Sequence, residues 1–197
     1  MNTDDAKGGY LALRDEADLH SFRTLARSML MEQDKVEDER SGNGEYLEVW
    51  RTPDRKRTLS WIESPRVFGR FLWYQGEGAE NALKIASDAL PSATAAEVRE
   101  LLGNSNPSHD DLVALLHIAA YVTPTERADL LETFRRYLAD PRRGVRLSAV
   151  RAYAIRCWPG LLDEIERISK EDSEPDVRAF ATQVVEHARK EQGSNKK

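Results

Sequence analysis

The chain has 197 residues and a mass of 22.4 kDa, room for one ordinary domain or two small ones. Hydrophobic residues make up 40% and aromatic residues 8%, including four Trp, which supplies a core and excludes an intrinsically disordered chain. The net charge of -5 excludes a wholly basic nucleic-acid or membrane binder, while a local basic patch stays open.

Residues 1–9 are polar, end in Gly8-Gly9 and lack the basic-then-apolar pattern of a secretory signal, so they read as a flexible leader. From Asp15 to about Gln33, Leu19, Phe22, Leu25, Ala26, Met29 and Leu30 recur at helical spacing and mark one helix face. The stretch Asp34 to Gly44 is charged and then rich in Gly and Asn, which predicts a loop. Three runs rich in aromatic and branched residues follow, Tyr46–Arg51, Thr58–Ser64 and Arg70–Gln75, and predict strands. Their short connections, Thr52 to Arg57 and Pro65 to Gly69, imply an antiparallel meander. Leu47 and Val49, Leu59 and Trp61, and Phe71 and Trp73 are expected to share the face that covers the first helix. Gly76-Glu77-Gly78 reads as a turn, because it lacks the third glycine of a phosphate-binding loop. A helix from Ala79 to Leu90 then ends at Pro91. The expected order is α-β-β-β-α, a small α+β module over residues 10–92. Most of Trp50, Trp61, Trp73 and Tyr74 should be core, any exposed one a contact surface, and Arg55-Lys56-Arg57 a solvated tip.

Beyond Pro91 the pattern is helical only. Thr94-Ala95-Ala96-Glu97 and Thr123-Pro124-Thr125-Glu126 read as capping boxes, and Ser108 to Asp111 as a weaker start signal. Self-similarity runs through this half at a period of 32: Val113, Val145 and Val177 share it, as do Asp140 and Asp172, Arg146 and Arg178, and Ala149 and Ala181. Leu130-Leu131 with Phe134 and Tyr137 recurs 31 residues later as Leu161-Leu162 with Ile165 and Ile168. Three helical hairpins are expected, at about 94–122, 125–157 and 159–189, within a region spanning 93–190, and residues 191–197 read as a disordered tail.

The last two hairpins resemble HEAT and HEAT-like repeats, on Leu130-Leu131, Asp140-Pro141, Val145-Arg146 and Ala149, then Leu161-Leu162, Asp172, Pro175-Asp176-Val177-Arg178 and Ala181. In the first hairpin Ala114 replaces the Arg, so that unit reads as a cap. The resemblance implies a helical-repeat solenoid in which Asp140, Arg146, Asp172 and Arg178 form a structural ladder. It also implies a binding scaffold, although some HEAT-like proteins are DNA glycosylases or phycobilin lyases. The helix-then-meander layout of the first half is loosely similar to immunity proteins of polymorphic toxin systems.

Candidates for chemistry are few. His20, His109, His117 and His187 are scattered, so no metal site is expected, and no cofactor motif or catalytic pair is present. The lone Cys157 forms no disulfide and reads as a packing residue, with a thiol activated by neighbouring arginines as the alternative. The lack of catalytic and cofactor motifs leads to the expectation of a non-enzyme. The lack of a secretory signal, or of an apolar run approaching the ~20 residues that span a bilayer, leads to that of a cytoplasmic protein. Charge is more informative. Seven arginines lie between Arg135 and Arg156 against Asp140 alone, and seven acidic residues lie between Asp163 and Asp176 against Arg167 and Lys170. The two blocks either neutralise one another or leave a patch of Arg142, Arg143, Arg146 and Arg151 with Trp158 as a stacking residue. The leading expectation is an adaptor that binds another protein, of immunity or regulatory type. The alternative is a nucleic-acid-binding protein related to the DNA glycosylases. The net charge is -5 through Gly103 and zero beyond it, so the first half is the natural contact for a basic partner.

Overall fold

A computed structural model describes residues 8–40, 44–64, 69–104, 107–123 and 125–194. The chain divides into two compact units, Met1–Ala95 and Ala96–Lys197.

The first unit contains β1 (Gly8–Leu13), α1 (Leu19–Ser28), β2 (Glu32–Asp38), β3 (Tyr46–Arg51), β4 (Thr58–Ser64), β5 (Gly69–Gln75), α2 (Ala79–Ala89) and β6 (Ser92–Ala93). These strands form one sheet in the order β2-β3-β4-β5-β1-β6, every neighbouring pair antiparallel. The β3-β4-β5 meander is the expected one, widened by a strand on each side and closed by a short third. Gly8 and Gly9 belong to β1, which corrects their reading as leader, while residues 1–7 lie outside the described residues. The expected loop from Asp34 is likewise strand as far as Asp38.

Phe22, Leu25 and Ala26 of α1, with Ala82 and Ala86 of α2, pack on Tyr46, Trp50, Leu59, Trp61, Leu72 and Tyr74. The covered face on β3 therefore carries Tyr46, Glu48 and Trp50 rather than Leu47 and Val49. On β5 it carries Leu72 and Tyr74 rather than Phe71 and Trp73. Both strands alternate two sets of large apolar residues, so periodicity alone does not choose between their faces. Trp50, Trp61 and Tyr74 are buried, and Phe22 meets Trp61 at 5.4 Å. Trp73 is half-buried and stacks on Tyr10 at 6.1 Å. Full burial of such side chains contributes about 1.5–3 kcal/mol each. At the turn into α2, Gly76 has φ 125, and a Cβ there would sit 2.6 Å from the Lys56 carbonyl oxygen. Glycine is the residue that fits.

The second unit is helical: α3 (Ala95–Asn104), α4 (His109–Val122), α5 (Ala128–Leu138), α6 (Arg143–Arg156), α7 (Leu162–Glu171) and α8 (Pro175–Ser194), with a 3₁₀ turn at Pro159–Leu161. Ser108 caps α4 by accepting from the Asp111 N–H. Thr123 is instead the C-cap of α4, and Glu126 accepts from the Gly160 N–H, so the expected capping box does not form; its Pro124 lies outside the described residues. Helix α6 packs against both α4 and α8, and α5 against α6 and α7. Val145, Val177, Ala149, Ala181, Phe134 and Ile165 are buried between them. The backbone of α8 continues helical to Ser194, which corrects the tail expected from 191, while residues 195–197 lie outside the described residues. No helix among the described residues is long and apolar enough to cross a membrane.

Candidate interaction surfaces

The turn before α6 gathers most of the residues singled out by the repeat. Arg146 clasps Asp172 through two bonds of 2.7 and 2.9 Å, with side chains 11% and 3% exposed. Its Nη1 also donates to the Asp140 carbonyl oxygen at 2.9 Å. Arg178 makes the same contact to the Asp172 carbonyl oxygen. The Asp140 carboxylate accepts from the Arg142 N–H at 2.8 Å, and the Asp172 carboxylate from the Glu174 N–H at 2.9 Å. Donor and acceptor in each pair of contacts are related by the 32-residue offset. Hydrogen bonds from Arg146 hold the Asp172 carboxyl below its ordinary value against the cost of burial, and Arg142 does the same for Asp140. A cleft of ≈ 320 Å³ opens beside these groups, lined by Leu138, Pro141, Arg146, Ile168 and Asp172 among others.

Arg142, Arg143, Arg146 and Arg151 do not form a field of free guanidiniums. Arg142 is bidentate to Asp140, Arg143 to Asp176 and Arg146 to Asp172. Arg151 is exposed, with its guanidinium 5.8 Å from the centre of the Phe180 ring. Nearby, Arg135 bonds Glu164 at 2.6 Å, and Arg156 donates to the carbonyl oxygens of Ala120 and Tyr121. Trp158 is 2% exposed and meets Phe134 edge-on at 5.1 Å. It is a core residue, which corrects its reading as a stacking platform. Cys157 caps α6 at φ 48, and its thiol lies 3.8 Å from the Ala154 carbonyl oxygen. His117 is buried, bonds the Val113 carbonyl oxygen through Nδ1 at 2.9 Å, and is pushed below its ordinary pKa chiefly by burial. Among the described residues no three His, Cys, Asp or Glu side chains are placed to hold a metal ion.

The second concentration of charge lies in the sheet. Glu48 is 0% exposed, on the face that α1 covers. Arg23 reaches it at 3.0 and 2.8 Å, the Tyr46 hydroxyl at 2.5 Å, Trp50 Nε1 at 2.8 Å and Gln33 Nε2 at 3.1 Å. Burial pushes this carboxyl up, but the bonds from Arg23, Tyr46 and Trp50 outweigh it and hold the pKa low. Gln33 ties this knot to β2, the outermost strand, all seven residues of which are exposed. A bulge between Gln33 and Lys35 turns Asp34 toward Arg51 at 3.2 Å and Arg55 at 3.9 Å. Leu30, just before β2, is 80% exposed at φ 57, and Val36 within it is 46% exposed. The expected helix to about Gln33, with Leu30 on its apolar face, is corrected: α1 ends at Ser28, Leu30 is exposed, and Glu32 and Gln33 are already strand. The Glu48 knot and the edge strand were passed over. The signal for Glu48 was one carboxylate inside an apolar run, with Tyr46 and Trp50 two residues to either side as donors on its own face.

No family model matches the chain, and neither a curated protein nor a solved structure matches it.

Proposed function

We propose that the chain is a non-catalytic protein–protein interaction adaptor of immunity or regulatory type, acting in the cytoplasm, in which an α+β module is joined to a short HEAT-like array. The observation that carries this reading is the pair of equivalent turns. Arg146 to the Asp140 carbonyl and Arg178 to the Asp172 carbonyl are the same contact one repeat apart. Stacked helical repeats present extended faces, and their use is chiefly in binding other proteins. Asp140, Arg146, Asp172 and Arg178 act in this reading as the ladder between units.

Nucleic-acid binding through Arg142, Arg143, Arg146 and Arg151 is the weaker reading, because three of these guanidiniums already hold intramolecular carboxylates. Arg146 would have to leave a nearly buried carboxylate to reach a phosphate, and the carboxylates beside Arg142 and Arg143 leave little net positive charge there to attract one. The test is to isolate the tagged full chain from its native cell and identify what accompanies it. A stoichiometric protein partner is expected. Recovery of nucleic acid alone would overturn the reading.

A further inference from the structure

We propose that β2 is a docking strand for an extended, lysine- or arginine-rich segment of a partner protein, which adds to the sheet beyond β2. This deepens the adaptor reading and rests on it.

Three features support the assignment. The first is an open edge. Among the described residues β2 pairs with β3 alone, so the outward N–H and C=O groups of a seven-residue strand face no other strand. Such a row is a ready template for strand addition, in which main-chain bonds supply affinity and side chains supply specificity. The second is charge. Glu32, Asp34, Glu37 and Asp38 stand against Lys35 alone within the strand. Their internal partners are Lys35 for Glu37, Arg51 and Arg55 for Asp34, and Arg40 for Asp38, all surface pairs, with the Asp34 side chain half-buried. Pairs of that kind contribute about 0–1 kcal/mol, so a partner's cations can share or replace them. The same charges oppose pairing with a second copy of this chain, whose β2 would bring four carboxylates of its own. The third is apolar anchoring. Leu30 and Val36 expose branched side chains beside the strand, and Leu30 is held in the left-handed region that leucine disfavours. Behind them, Glu48 fixes β3 and Gln33 of β2 through one buried carboxylate. The docking edge is thereby set before any partner arrives, which lowers the ordering cost of binding.

The probe is the nine-residue peptide acetyl-KTKVKVKTK-amide, titrated into the full chain by fluorescence anisotropy. Its control is the same peptide N-methylated at every residue, equal in charge but with no backbone N–H left on either edge to complete a ladder. The expected result is at least tenfold tighter binding of the unmethylated peptide, with slowed amide exchange confined to 32–38. The double variant Glu32→Lys, Glu37→Lys should lose at least tenfold in affinity at unchanged Tm. Equal binding of the two peptides, no binding of either, or protection elsewhere would overturn the proposal. Dimerisation of the chain through β2 would overturn it as well. If the double variant still isolates the same cellular protein as the parent chain, the docking strand fails while the adaptor reading stands.

Discussion

At the scale of single residues, Glu48 carries the largest local consequence. Glu48→Ala leaves the Tyr46 hydroxyl, Trp50 Nε1 and part of Arg23 without their acceptor, and should cost about 3 kcal/mol in urea unfolding. Its pH dependence follows from the lowered pKa. The folded state holds the proton more weakly than the unfolded chain, so this stabilisation is fully present above the ordinary value of 4.5 and is lost as pH falls through the lower folded value. Glu48→Gln should therefore flatten that part of the acid limb of stability against pH. His117 acts at milder pH. Its folded pKa is depressed, so below 6.5 the unfolded chain takes up a proton that the folded chain refuses. Stability should fall there by at most about 1.4 kcal/mol per pH unit, and His117→Gln should remove that slope in chemical denaturation between pH 7 and 5. The His117 role was not legible beforehand, since a lone His in a helix shows its partner only after folding. For Glu48 the sequence held Tyr46 and Trp50 as donors but not Arg23 and Gln33, which the fold brings.

At the scale of elements, the joint between the first turn of α6 and the turn before α8 rests on Arg146 and Asp172. Asp172→Ala leaves a nearly buried guanidinium without its carboxylate and should cost about 3 kcal/mol, with the double variant Arg146→Ala, Asp172→Ala costing less than the sum of the singles. Equilibrium unfolding of the four proteins of that cycle measures the coupling. The strands β3, β4 and β5 were legible because aromatic and branched residues crowd them between turn residues. Strand β2 was not: Glu-Gln-Asp-Lys-Val-Glu-Asp has neither alternation nor a core side, and it is strand because β3 offers it a ladder. Strand β1 was hidden by Gly8-Gly9, which read as a leader but lie opposite Gln75 and Tyr74. The helix start expected at Thr123 failed for a related reason, since Glu126 spends its carboxylate on the distant Gly160 N–H. Local signals marked elements that carry their own pattern, and missed those that borrow it from a neighbour in space.

At the scale of the whole molecule, the acidic balance of the first half becomes a property of place. The carboxylates of β2 lie along an open edge of the sheet, while Arg142, Arg143 and Arg146 of the second half are drawn into internal pairs. That placement also has a bearing on solubility. Seven residues of unpaired ladder would recruit further chains into fibrils if their side chains were neutral, and the four carboxylates serve as gatekeepers against it. Neutralising the strand removes this guard. With Glu32, Asp34, Glu37 and Asp38 all changed to their amides, the chain should scatter light and bind thioflavin at pH 7, where the parent stays clear. Adding Val36→Lys to that variant should delay the onset.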